Sequence, residues 1–151
     1  MLGKPVKDFS LPSTGGTTFK LSEHKGKKLV LYFYPKDNTP GCTTEGVQFG
    51  ELHRQFLKAG CTVFGISRDS IKSHENFKAK LGFPFDLRSD AEEAACAQFD
   101  VIKMKSMYGK KVRGIERSTF VLDGRSVLAR EWRGLKVPGH VEEVLSFVKT
   151  L

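Results

Sequence analysis

Cysteine is scarce in this chain: three among 151 residues, Cys42, Cys61 and Cys96, and no two stand in a Cys-x-x-Cys pair. An odd, dispersed set excludes a disulfide framework and a vicinal redox pair. The four histidines, His24, His53, His74 and His140, lack HxxxH or mixed Cys/His spacing, so no metal site is expected. No apolar run approaches the roughly 20 residues of a membrane span. The opening "MLGKPVKDFSLPS" has no apolar signal-peptide core, and the expected compartment is the cytoplasm, with no membrane association. Linkers, repeats and low-complexity tracts are also missing, so residues 1–151 are expected to form one domain.

Hydrophobic residues make up 39% and charged residues 28%, a globular balance. The net charge is +8, which raises nucleic-acid binding as a function class. Lys and Arg are spread along the chain among Asp and Glu, however. The densest basic run, "KMKSMYGKKVR" (103–113), carries one tyrosine and no nucleic-acid motif. A solvated basic surface is the simpler reading, and no nucleic-acid partner is expected.

The pattern of periods sets the element order. Gly15-Gly16 reads as the turn of an N-terminal β-hairpin. Leu29 to Tyr34 form a continuous apolar run, the pattern of a strand covered on both faces. From Thr43 to Ala59, Phe49, Leu52 and Phe56 share one helical face, and Gly60 stands where the helix would stop. "CTVFGIS" predicts a second buried strand, "SIKSHENFKAKLG" a second helix and "FPFDLRS" a third strand. Asp90 and Glu93 resemble a capping box opening a third helix. "RSTFVLD" and "SVLAREWRG" flank an Asp123-Gly124 turn, a hairpin signal. A stripe from Val141 to Leu151 predicts a closing helix. Alternating strands and helices imply an α/β fold with a central mixed sheet flanked by helices.

One cysteine occupies a constrained corner. In "YFYPKDNTPGCTTEG" a buried strand ends at Pro35, turn residues follow, and Cys42 falls in the first turn of the next helix. Ligands and chemistry gather at such strand ends, and a helix N-terminus favours a thiolate. Thr39 can offer a hydroxyl toward the same point, and Pro35 and Pro40 would shield one side of the sulfur. The alternative is a small buried cysteine in a tight loop; the polar, turn-forming neighbours favour a functional thiol.

"PKDNTPGC" matches Pro-x-x-x-Thr-x-x-Cys through Pro35, Thr39 and Cys42, and so resembles the peroxiredoxin signature. The longer "YPKDNTPGCTTE", with "DFSLPS", "GISRDS", "HENFKAKLGFPF", "ERSTFVLD" and "VPGHVEEVL", is similar to the Q-type, or bacterioferritin-comigratory, subfamily over almost the whole chain. The resemblance implies a thioredoxin-like fold and a thiol peroxidase without cofactor. It implies Cys42 as peroxidatic nucleophile, Thr39 hydrogen-bonding the peroxide, Pro35 shielding the site, and Arg117 in "ERSTF" as the catalytic cation. Glu45 either orients Arg117 or simply places an acid near a helix N-terminus.

The likeness breaks at recycling. Many Q-type members carry a resolving cysteine five residues after the peroxidatic one, where Val47 stands here; others carry it at the position of Lys78. Cys61 opens a buried strand and reads as core. Cys96 is a candidate resolving cysteine, placed at the same end of the sheet as Cys42, but its alanine neighbours and Phe99 favour a core position. The expected mechanism therefore uses one cysteine and an external thiol: thioredoxin, glutaredoxin or glutathione. A thioredoxin-like dithiol oxidoreductase is the competing enzyme class, yet Glu45 stands where its second cysteine would be. A monomer is expected, with a dimer as the alternative.

Overall fold

The computed structural model describes residues 1–151. Nine strands and five helices form, in chain order, β1 (Ser10–Ser13), β2 (Thr17–Lys20), β3 (Lys28–Phe33), α1 (Pro40–Glu51), α2 (His53–Lys58), β4 (Cys61–Ser67), α3 (Ile71–Leu81), β5 (Leu87–Ser89), α4 (Ala94–Gln98), β6 (Ile102–Met107), β7 (Lys110–Ile115), β8 (Ser118–Leu122), β9 (Leu128–Arg133) and α5 (His140–Thr150). Seven strands make one sheet in the order β2-β1-β5-β4-β3-β8-β9, while β6 and β7 form a separate ribbon. The central pairs β3–β4 and β4–β5 are parallel, and β8 and β9 continue antiparallel beside β3. This is the expected mixed sheet with its N-terminal hairpin, in a thioredoxin-like arrangement. No helix is long and apolar enough to cross a membrane.

Alternation along β3 sorts the core into two layers. Leu29, Leu31 and Phe33 point into a cluster with Phe64, Ile66, Cys96, Phe99 and Phe120. Val30, Tyr32 and Tyr34 point the other way, into Cys42, Phe49, Phe56, Phe77 and the α5 stripe of Val141, Val144, Leu145 and Val148. Because both faces are covered, β3 reads as an unbroken apolar run.

Four details depart from the sequence reading. The helix expected over 43–59 begins at Pro40 and breaks at Leu52 (φ −98°, ψ 5°), giving α1 and α2. Asp90 and Glu93 make no capping box: Glu93 adopts a left-handed conformation, and the Asp90 carboxylate alone accepts from the Ala95 and Cys96 N–H groups at 3.2 and 2.7 Å. The Asp123 side chain anchors a longer loop by accepting from Arg125 and Val127 N–H, so the β8–β9 connection is not a two-residue turn. The basic run 103–113, read only as solvated surface, is the β6–β7 hairpin. Tyr108 and Gly109 supply its two positive-φ turn residues. Its five Lys and Arg mask the alternation in the sequence.

Candidate active site

Strand register explains how residues 75 positions apart meet. β3 and β8 are antiparallel, with Phe33 opposite Ser118. The chain leaving β3 toward Cys42 and the chain entering β8 from Arg117 therefore lie at the same sheet end. Cys42 is the third residue of α1 and only 2% exposed. The first helical bond runs from Thr43 N–H to Thr39 O, so the Gly41 and Cys42 N–H groups precede the ladder. Glu45 lies three residues on, on the same helical face.

Arg117 joins the two. Its Nη2 donates to Cys42 Sγ at 3.3 Å and its Nη1 to Glu45 Oε1 at 2.6 Å. A fixed, partly buried cation beside the sulfur stabilises negative charge there more than an exposed one would. Gly41 makes room for it, since a Cβ at that position would lie 3.0 Å from Arg117 Nη2. Burial pushes the Glu45 carboxyl up to about 7, and Arg117 offsets only part of that cost. Its second oxygen, Oε2, is buried without a partner. Burial opposes the charge of Arg117 as well, but Glu45 and Cys42 outweigh it and raise the guanidinium above its ordinary value.

Thr39 is the N-cap residue of α1, but its hydroxyl does not cap the helix. It donates to Lys36 O at 2.8 Å, which leaves the Oγ1 lone pairs free to accept. Pro35, half-buried, is the second residue after β3 and opens the loop that carries Thr39.

Sequence reasoning missed the residues that hold this loop. Asp37 is buried between Tyr34, Ser73 and His74. Its Oδ1 accepts from Tyr34 OH at 2.7 Å, and its Oδ2 accepts from Ser73 Oγ and faces His74 Nδ1, both at 2.8 Å. His74 Nε2 faces the Arg88 carbonyl oxygen at 2.9 Å. Both ring nitrogens of this buried histidine thus face oxygen atoms of neighbouring residues. Asp69 Oδ2 adds a bond from Asp37 N–H at 2.9 Å. Burial alone would push the Asp37 carboxyl up, but the bonds from His74, Tyr34 and Ser73 prevail and hold it below the usual carboxylate range. The loop is thereby fastened to α3. No motif announced this, because residues 37 and 74 meet only through the fold.

The other thiols stand apart from Cys42. Cys96 is fully buried in the opposite layer, so the seven-stranded sheet separates it from Cys42. Cys61 starts β4 opposite Lys28, at the other end of the strands. Burial pushes the Cys61 thiol up to about 12, and burial, with Asp90 beside it, raises Cys96 even further. Val47 is half-buried on α1, and Lys78 is paired with Asp86 at 2.7 Å. Asp37, Asp69 and His74 form a compact set of potential ligand atoms, but the hydrogen bonds above already engage it.

A thioredoxin-like sheet that presents a thiol at a helix N-terminus, held against an arginine, has the arrangement of a thiol-dependent redox protein, and Glu45 stands where a Cys-x-x-Cys pair would place its second cysteine. The AhpC/TSA family model matches residues 2–130. A peroxiredoxin Bcp of Xanthomonas campestris pv. campestris is 54% identical, the alignment covering 99% of this chain and 94% of that one. A peroxiredoxin Q of Xylella fastidiosa, solved as a cysteine-to-serine mutant, superposes with a TM-score of 0.95 at 48% identity, covering 99% and 96%. The Xanthomonas campestris bacterioferritin comigratory protein, solved as trapped intermediate and ligand complexes of its alkyl peroxide reduction, gives 0.90 at 54% identity, covering 94% and 90%. The chain belongs to the AhpC/TSA family, among peroxiredoxins of the Bcp or Q type.

Proposed function

We propose that this chain is a thiol-dependent peroxidase reducing hydrogen peroxide and small organic hydroperoxides, with Cys42 as the nucleophile. The Cys42 thiolate attacks the distal peroxide oxygen, and the O–O bond breaks. Sulfur keeps the attacked oxygen as a sulfenic acid, and the alkoxide or hydroxide leaves after taking a proton. Arg117 holds the thiolate and stabilises the charge spreading over the breaking bond. The Thr39 Oγ1 accepts the hydroperoxide O–H, and Pro35 screens the site from water. Glu45 positions Arg117. The observation that carries this reading is the bridge from Glu45 through Arg117 to the Cys42 sulfur.

With Cys96 behind the sheet and Cys61 at its far end, return of the sulfenic acid falls to an external thiol: thioredoxin, glutaredoxin or glutathione. The protein acts as a single-domain cytoplasmic monomer without metal or cofactor. The test is peroxide consumption by wild type, Cys42→Ser and Cys96→Ser with each reductant. Cys42→Ser is expected to lose all thiol-dependent turnover, and Cys96→Ser to keep it. Full activity in Cys42→Ser overturns the nucleophile. Loss in Cys96→Ser with sulfenic acid still formed makes Cys96 the resolving thiol, in an atypical two-cysteine cycle.

A further inference from the structure

Four of the eight large apolar side chains exposed on this protein, Met104, Met107, Tyr108 and Val112, fall within nine residues on the β6–β7 hairpin. The same ribbon, 102–115, contains five Lys or Arg and no Asp or Glu. Of these cations, Lys103 pairs with Asp100 and Arg113 with Glu93, whereas Lys110 and Lys111 have no ion-pair partner. The Arg113–Glu93 pair extends to Arg68 and fastens the ribbon to the body of the protein. Clustered apolar groups among unpaired cations are the composition of a binding surface.

The register divides the hairpin into two faces, because directly opposite residues share a side. Lys105 lies opposite Val112 and Met107 opposite Lys110, while Met104 with Arg113 and Ser106 with Lys111 occupy the other face. The face bearing Lys105 adjoins the active site: its Nζ donates to the Ile115 carbonyl, and the Arg117 charge depresses its pKa after burial does. β7 ends at Ile115, two residues before the guanidinium that touches Cys42 Sγ. A protein seated on Met107, Lys110 and Val112 would lie on the ribbon whose root leads to Arg117 and the Cys42 sulfur.

We propose that this face of the β6–β7 hairpin docks an acidic dithiol protein that reduces the Cys42 sulfenic acid. The inference rests on Cys42 being the oxidised residue. A partner thiolate attacks the Cys42 sulfur, an S–S bond forms, and the sulfenic oxygen leaves as water after protonation. The second partner thiol then attacks the partner's own sulfur in that bond. Cys42 returns as a thiolate and the partner leaves as a disulfide. The unpaired Lys110, with Lys105 on the same face, selects an acidic surface and speeds encounter, and the flexible Met107 adapts to the partner's apolar contact. One tyrosine on the ribbon is too little stacking surface to favour nucleic acid.

The test compares Lys110→Glu/Val112→Ser with Lys111→Glu/Met104→Ser, the control on the opposite face. Turnover is measured with an acidic thioredoxin, with glutathione and with dithiothreitol, alongside stopped-flow oxidation of Cys42 by peroxide. The first variant is expected to raise KM for thioredoxin at least tenfold, leave dithiothreitol turnover and the oxidation rate unchanged, and weaken the salt dependence. The control should stay within twofold of wild type. An unchanged thioredoxin KM in the first variant, equal losses in both variants, or glutathione serving as well as thioredoxin in wild type each overturns the docking face. Binding of a single-stranded oligonucleotide at 0.15 M salt, lost in the first variant with thioredoxin kinetics intact, reassigns the face to nucleic acid. If wild-type Cys42 is not oxidised by peroxide, it is the underlying peroxidase reading that fails.

Discussion

At the scale of single residues, the site depends on what is small as much as on what is charged. Gly41 has an ordinary helical role, yet a methyl group there would stand 3.0 Å from the Arg117 Nη2 that contacts sulfur. Gly41→Ala is expected to displace the guanidinium and slow peroxide oxidation of Cys42 about tenfold, a loss of roughly 1.4 kcal/mol in transition-state stabilisation. Its thermal midpoint should rise slightly or stay constant, because alanine favours a helix. Stopped-flow fluorescence with a melting curve checks both. Arg117→Lys should be slow as well, since an ammonium cannot reach Cys42 and Glu45 with two fixed donors. A Gly41→Ala protein oxidised at the wild-type rate would show that the guanidinium position does not limit attack.

At the scale of elements, the loop between β3 and α1 is fixed from outside itself. Asp37 is fastened to α3 through His74 and Ser73 and to Tyr34, the residue that follows β3. His74→Phe removes a buried hydrogen-bond partner of Asp37 and leaves the carboxylate short of a contact, which costs about 1–3 kcal/mol. The same change frees the loop that carries Pro35 and Thr39. Urea unfolding should therefore show the lost stability, and the peroxide oxidation rate should fall even under conditions where the variant is fully folded. A destabilised variant that reacts at the normal rate would confine His74 to a structural role. α4 makes a similar point: it spans five residues and starts from the Asp90 carboxylate instead of the reciprocal box that its sequence suggested.

At the scale of the whole molecule, two buried groups pull the pH dependence of stability in opposite directions. Folded Glu45 keeps its proton up to about pH 7, against 4.5 when unfolded. The folded state binds more protons in that window, so stability falls as pH rises through it. Burial lowers His140 from 6.5 to about 4. Here the unfolded state binds more protons, and stability falls as pH drops. Each displacement corresponds to roughly 3 kcal/mol, so the two slopes oppose one another between pH 4.5 and 6.5. Wild-type stability should be nearly flat there. Glu45→Gln should uncover a profile rising with pH and His140→Gln a falling one, by urea unfolding at pH 4.5, 5.5, 6.5 and 7.5. Profiles parallel to wild type in both variants would remove these groups as its source.

The sequence by itself determined the mixed sheet, its N-terminal hairpin and the corner that presents Cys42. Those depend on local period, turn residues and helix starts, all of which are written in neighbouring positions. Arg117 is legible in the sequence only through resemblance to a known signature, and the β3–β8 register is what brings it to the sulfur. Only the tertiary structure decided the rest. It buried Glu45 against Arg117, joined Asp37 to His74 across 37 positions and set Cys96 on the far side of the sheet from Cys42. It also turned a basic run into a hairpin rooted at the site. The physical reason is common to all of these. Local propensity extends over a few residues, whereas charge pairing, desolvation and the side of a sheet on which a thiol falls depend on register between distant strands.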